Sequence, residues 1–199
     1  MLAVLSKLAL FNQNCRVKML VSLAEVAKTT NLIGTRLGQE TYQRLYKLIE
    51  DNPAERFFQF SAKNVQVTDA TFARETLLQL ASVHRGHKGI MLVDIDDRDQ
   101  LDNWSYAADN KGQPLMAWNG KKSEVLGDQT TRSGGEILKL VLKHGSVTTS
   151  KIADALNISV QNASTQMNRL QTQGYLVRTE RVAATGGMEY VYHAISPRS

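Results

Sequence analysis

The last third of the chain carries three stretches with apolar residues at helical spacing, then two alternating stretches around a glycine turn, and few folds accept that order. Glu136 to Lys143 (EILKLVLK) reads as a helix that His144-Gly145 ends. Thr148 or Thr149 can cap a second helix over Ser150 to Leu156, which buries Ile152, Ala153 and Leu156. Asn157 falls where the chain must turn sharply, and Asn tolerates the left-handed conformation better than most residues. Ile158 then points inward and Ser159 offers its hydroxyl as N-cap of a third helix. There Ala163, Met167 and Leu170, at i, i+4 and i+7, form one buried stripe, and Gly174 supplies a C-terminal stop. Tyr175 to Val182 and Met188 to Ala194 read as strands of a hairpin turning at Ala184-Thr185-Gly186-Gly187.

The front half has a different period. Met19 to Val26 reads as a strand and Gln39 to Ile49 as a helix that Pro53 follows. Phe57 to Phe60 and Val65 to Val67 look extended, and Ala70 to Val83 looks helical. Gly89 to Ile95 is nearly all apolar, as a strand buried on both faces would be. Arg98 to Asp109 predicts a helix and Pro114 to Trp118 a last strand. Alternating strands and helices imply an α/β domain, a mixed sheet with helices, over residues 19–118. Residues 119–133 are polar and end near a Gly-Gly, which predicts a linker; residues 134–199 are the second domain. Residues 1–18 are read as a leader or flexible start, because their apolar run is short and broken by Lys7.

Composition narrows the function. With 42% hydrophobic and 22% charged residues the chain can bury real cores. The net charge of +5 leans toward an anionic partner, and from Gly134 on seven Lys/Arg face four Asp/Glu. Cys15 is the single cysteine, so no intrachain disulfide can form and a reducing cytoplasm is the expected compartment. No apolar run approaches the ~20 residues that span a bilayer, so no membrane role is expected.

Opposite its buried stripe the third helix presents Gln161, Asn162, Ser164, Thr165 and Asn168, with Arg169 on the flank. Asn and Gln can pair bidentately with adenine in a major groove that admits one helix. A helix with nothing to read would more often carry Lys and Glu on that face, and this one carries neither. From Ile152 to Arg178 the run IADALNISVQNASTQMNRLQTQGYLVR resembles the helix-turn-helix and first wing strand of MarR-type winged-helix regulators. The resemblance implies an α+β winged helix-turn-helix and double-stranded DNA as partner. It puts the base-facing positions on Val160, Gln161, Asn162, Ser164 and Thr165, after the cap Ser159, with Asn168 near the backbone. Arg178 and Arg181 are the cations nearest the wing, and Thr185 and Gly186 lie at its tip. The tip is Thr-Gly-Gly, without the acidic-then-Arg pair many such regulators place in the minor groove. Winged helices also serve as protein-docking modules, so a partner-switching adaptor is the alternative.

The front half, with VQVTDATFARETLLQLA over Val65 to Ala81, is similar to STAS-like domains. That resemblance implies a sensing, dimerising or partner-binding module, and it puts candidate phosphorylation positions at Thr68 and Thr71. A Thr-Asp-x-Thr at a helix start is also a good N-cap, and we read it first as one. The acidic run Asp94 to Asp99 follows a central strand, where Asp94 and Asp96 would suit a magnesium ion; acids before a helix also cap it, and that reading is preferred. The four histidines show no metal spacing, and neither a nucleophile elbow nor a phosphate-cradling glycine loop is present. We therefore expect no enzyme, no cofactor and no metal. A homodimer through the front domain is expected, because the flanking dimerisation helices of MarR-type proteins are missing.

Overall fold

The computed structural model describes residues 18–183 and 186–197. Strand β1 (Lys18–Ser22) stops earlier than its apolar run suggests, because Ser22 caps helix α1 (Leu23–Ala27) by accepting the Glu25 amide. The short strand β2 (Asn31–Leu32) leads to α2 (Thr35–Glu50), which is one turn longer than its sequence periodicity indicates. Next come β3 (Phe57–Ser61) and β4 (Val67–Thr68), the latter pairing in parallel with β2. The stretch expected as one helix over Ala70 to Val83 is two, α3 (Ala70–Glu75) and α4 (Leu77–Val83). The break falls at Thr76, buried at φ −108° and ψ −102°, whose hydroxyl donates back to the Phe72 carbonyl at 2.6 Å. Such back-bonding competes with the helical ladder.

Strand β5 (Gly89–Val93) is buried along its whole length. Helix α5 (Arg98–Lys111) and β6 (Leu115–Asn119) follow. The segment expected as a linker then holds strand β7 (Lys122–Leu126), paired antiparallel to β6. Its signal was the dipeptide Asn119-Gly120, with Gly120 at φ +58° in the first position of a two-residue hairpin loop. Polar residues mask the strand, because one face of an edge strand meets water.

The five-stranded sheet runs β1-β3-β5-β6-β7, parallel except for its last strand. Each parallel strand is added on the same side of its predecessor. Right-handed crossovers then put every helix on one face. The core confirms it. Phe58, Phe60, Ile90, Leu92, Leu115 and Ala117 point into a single cluster with Leu45, Phe72, Leu80 and Trp104 of the helices. The alternate residues, Phe57, Met91, Val93, Met116 and Trp118, are equally buried, and no helix of the α1–α5 layer covers them. Their cover comes from the C-terminal part.

That part comprises α6 (Arg132–His144), β8 (Ser146–Thr148), α7 (Thr149–Leu156), α8 (Val160–Gln173), β9 (Leu176–Val182) and β10 (Met188–Ala194). Helix α6 begins at Arg132, capped by Thr131, so it starts inside the expected linker. Strand β8 was not expected, since Val147 is its one apolar residue. It pairs with β10 and completes a three-stranded sheet, the order of a winged helix. A second core holds Ile137, Val141, Ile152, Ala163, Met167, Leu170 and Leu176.

Val177 and Ile195 then join the bare sheet face as one apolar cluster, and the Trp118 indole donates to the Ile195 carbonyl at 3.1 Å. A second contact is made by the loop after α4. The Gly86 carbonyl accepts from the Arg178 amide at 3.1 Å and from Gln171 Nε2 at 3.3 Å. Gly86 sits at φ +76°, and a Cβ there would lie 2.1 Å from Gln171 Nε2. Among the described residues no helix is long and apolar enough to cross a membrane.

His84, at the start of that loop, is buried and stacked on Tyr46 at 5.7 Å between ring centroids. Burial, then the nearby Lys88, push its pKa below the ordinary histidine value; Glu50 opposes this and His87 adds to it. The unfolded chain thus binds a proton on this ring at a higher pH than the folded one does. The resulting stability is complete above the ordinary value of about 6.5 and is lost as the pH falls below it. Melting curves between about pH 7.5 and about pH 5 should show a falling Tm, and His84→Phe, which keeps the stack, should flatten the fall. An unchanged slope in the variant would assign the loss to other groups.

Candidate nucleic-acid interface

The helix-turn-helix geometry follows from local chemistry. Asn157 ends α7 in the left-handed conformation at φ 50°, which lets the chain reverse without glycine. Ser159 caps α8 through the Asn162 amide at 3.2 Å, and Gly174 closes it at φ +90°. Ala163, Met167 and Leu170 are buried as the spacing predicts. About 21 Å of helix, at 1.5 Å per residue, is therefore held by one stripe with its other side outward.

Gln161, Asn162, Ser164, Thr165, Asn168 and Arg169 are all exposed, and so is Val160, at 54%. None is covered by the sheet domain. The docked end of α8 is its C-terminal one, through Gln171, while the reading face lies toward the N-terminus. The face is partly preorganised. Gln166 Nε2 donates to Asn162 Oδ1 at 2.9 Å, leaving the Asn162 amide nitrogen free to donate outward, and Thr165 Oγ1 returns to the Gln161 carbonyl at 3.0 Å.

The wing-side cations are differently disposed. Arg178 donates to Asn168 Oδ1 at 3.1 Å and lies over the Tyr190 ring at 4.3 Å. It thereby ties the helix to the first wing strand. Arg181 pairs with Glu189 across the hairpin at 2.7 Å. Arg169 makes no ion pair among the described residues, and Lys151 is exposed in the first turn of α7. Gly186 is exposed in the wing loop at φ +82°; Thr185 lies outside the described residues. Sequence reasoning missed Gln166, Tyr190 and the buried Gln171. The last had a signal: it continues the Ala163, Met167 stripe at i+4, and a polar residue on a buried stripe marks a contact that packing alone does not explain.

The other candidates in the front half part company. Thr68 is buried, at 2% exposure, whereas Thr71 is half-buried in the first turn of α3. Asp69 caps that helix through the Phe72 amide at 2.7 Å and also receives the Gly34 amide. Asp97 caps α5 through the Gln100 amide, and Asp94 accepts from the Ser61 hydroxyl at 2.6 Å. Among the described residues no three His, Cys, Asp or Glu are grouped to hold a metal ion.

Residues 132–184 match the model of the MarR family. The C-terminal part is thus a MarR-type winged helix, and the match contains all of α8 and all of β9. The sheet domain lies outside it. No curated protein matches the chain.

Proposed function

We propose that the chain is a DNA-binding transcriptional regulator that reads the major groove with α8. The observation that carries this reading is the exposed, uncharged Gln161, Asn162, Ser164 and Thr165 face of a MarR-type module, held outward while the other end of the helix is docked. Side-chain amides match adenine edges, and Lys151 and Arg169 flank the face to meet phosphates. Arg178 and Arg181 play a smaller part, because both already hold partners within the module.

In this reading the sheet domain senses and dimerises. Its STAS-like character is supported by the strand–loop–helix order around Asp69, and Thr71 is the better-exposed candidate for modification. Dimerisation is supported by β1, among the described residues an edge strand of the sheet, with Leu20 62% exposed at its centre. Two such edges can pair about a twofold axis and present two copies of α8 to a symmetric site.

One observation favours the adaptor reading: Val182 and Met188, cross-strand partners at the wing, are 72% and 65% exposed. Titrating the purified protein against fragments of its source genome at several salt concentrations separates the two. Groove reading predicts two chains per symmetric site and an affinity that falls linearly in log–log form with salt, by about 0.9 per phosphate neutralised. No retardation of any fragment at low salt would favour the adaptor.

A further inference from the structure

We propose that a groove between the β5–α5 loop and the β6–β7 hairpin binds a small apolar α-amino acid, and that Trp118 couples this site to the winged helix. The groove encloses about 300 Å³, the lower end of the range for small-molecule sites. It lies beyond the carboxyl ends of β5 and β6. Ile95, Leu101 and Ala117 supply its apolar lining.

The rim chooses the ligand chemistry. Asp96 and Lys122 come from different elements, carry opposite charges, and make no ion pair among the described residues. Glu124 also faces the groove, but Arg98 holds both its oxygens, at 3.0 and 3.3 Å. One carboxylate and one ammonium therefore stand open above an apolar floor. A zwitterion with an apolar body satisfies both charges. A phosphorylated ligand would meet the Asp96 and Glu124 carboxylates, and a purely apolar one would leave the charged rim unused.

Trp118 belongs to two places at once. It lines the groove, its carbonyl accepts the Asp94 amide of the β5–α5 loop at 3.1 Å, and its indole nitrogen donates to Ile195 beneath the winged helix. A ligand seated at this strand end bears on the residue whose ring, on the opposite face of the sheet, seats the end of β10. The site stands without any regulatory role; the coupling rests on the DNA-binding reading above.

Calorimetric titration of the full chain with L-leucine, L-methionine and L-phenylalanine tests the site, with N-acetyl-leucine and leucinamide as probes lacking one charge each. Saturable binding of at least one free amino acid is expected, with both derivatives and the Asp96→Asn and Lys122→Met variants about tenfold weaker or worse. Absence of binding up to about 10 mM, or equal binding of the derivatives, overturns the site. Unaltered melting temperatures in the two surface variants would exclude misfolding as the cause. For the coupling, DNA affinity is measured with and without saturating amino acid. A change that shrinks in Trp118→Phe, which lacks the N–H donor, supports it; identical affinities overturn the coupling. A chain that binds no DNA fails the regulator reading, while calorimetry still decides the site.

Discussion

A chain carrying Gln161→Ala and Asn162→Ala is expected to lose about 100-fold of its preference for its own site over unrelated DNA, since each bidentate amide–base pair is worth about 1–3 kcal/mol. The side chains involved are exposed and support no buried contact. Alanine suits a helix better than either residue, and the Ser159 cap uses the backbone amide of position 162, so α8 itself should persist. Affinity for unrelated DNA should change little, because it draws on Lys151, Arg169 and other cations that the substitutions leave in place. Competition binding with specific and scrambled duplexes reads the ratio directly, and circular dichroism verifies the helix content. A variant that keeps the parent's full discrimination would move base reading away from these two positions.

Phe57→Ala is expected to cost about 3–5 kcal/mol of stability, the range for emptying a well-packed aromatic site. Phe57 is fully buried at the start of β3, on the face of the sheet opposite its helices. Its ring lies edge-on to His193 of β10, with centroids 6.5 Å apart, and packs in one cluster with Val177 and Ile195. On the other side it presses on the backbone of Gly89, where a Cβ would come within 2.5 Å of the ring. A backbone wall cannot swing in to refill the space. At about 2–4 °C per kcal/mol for a chain of this size, the melting temperature should fall by roughly 6–20 °C. Because the ring sits where sheet and winged helix meet, calorimetry should show one transition in the parent, and a fall below about 1 kcal/mol in the variant would mean the two parts are not packed as one.

Much of the candidate site was legible because its chemistry is local. Asn157, Ser159 and Gly174 each act on residues within one turn of the chain, through a left-handed bend, a hydroxyl on an amide, and a glycine stop. The apolar stripe of α8 likewise fixes which side chains face outward, and that outward face carries the functional proposal. Wherever a partner lay far along the chain, pattern reading fell short. β8 exists because β10 is there to pair with it; Thr76, which bonds back to Phe72, and β7, the hairpin neighbour of β6, were missed although their partners are local.

By itself the sequence determined that a strand with no watery side begins at Gly89, read as far as Ile95 and ending at Val93 in the fold, and that α8 has one oily stripe and one amide-rich face. Periodicity and capping depend on neighbours three or four residues away, so they survive without knowledge of the fold. What the second face of the sheet packs against was decided only in three dimensions. Successive parallel strands added in one direction send every crossover helix to the same side, and the apolar face left over is closed by Val177 and Ile195 of the winged helix. That closure joins residues such as Trp118 and Ile195, 77 positions apart along the chain, and no local pattern encodes such a pairing.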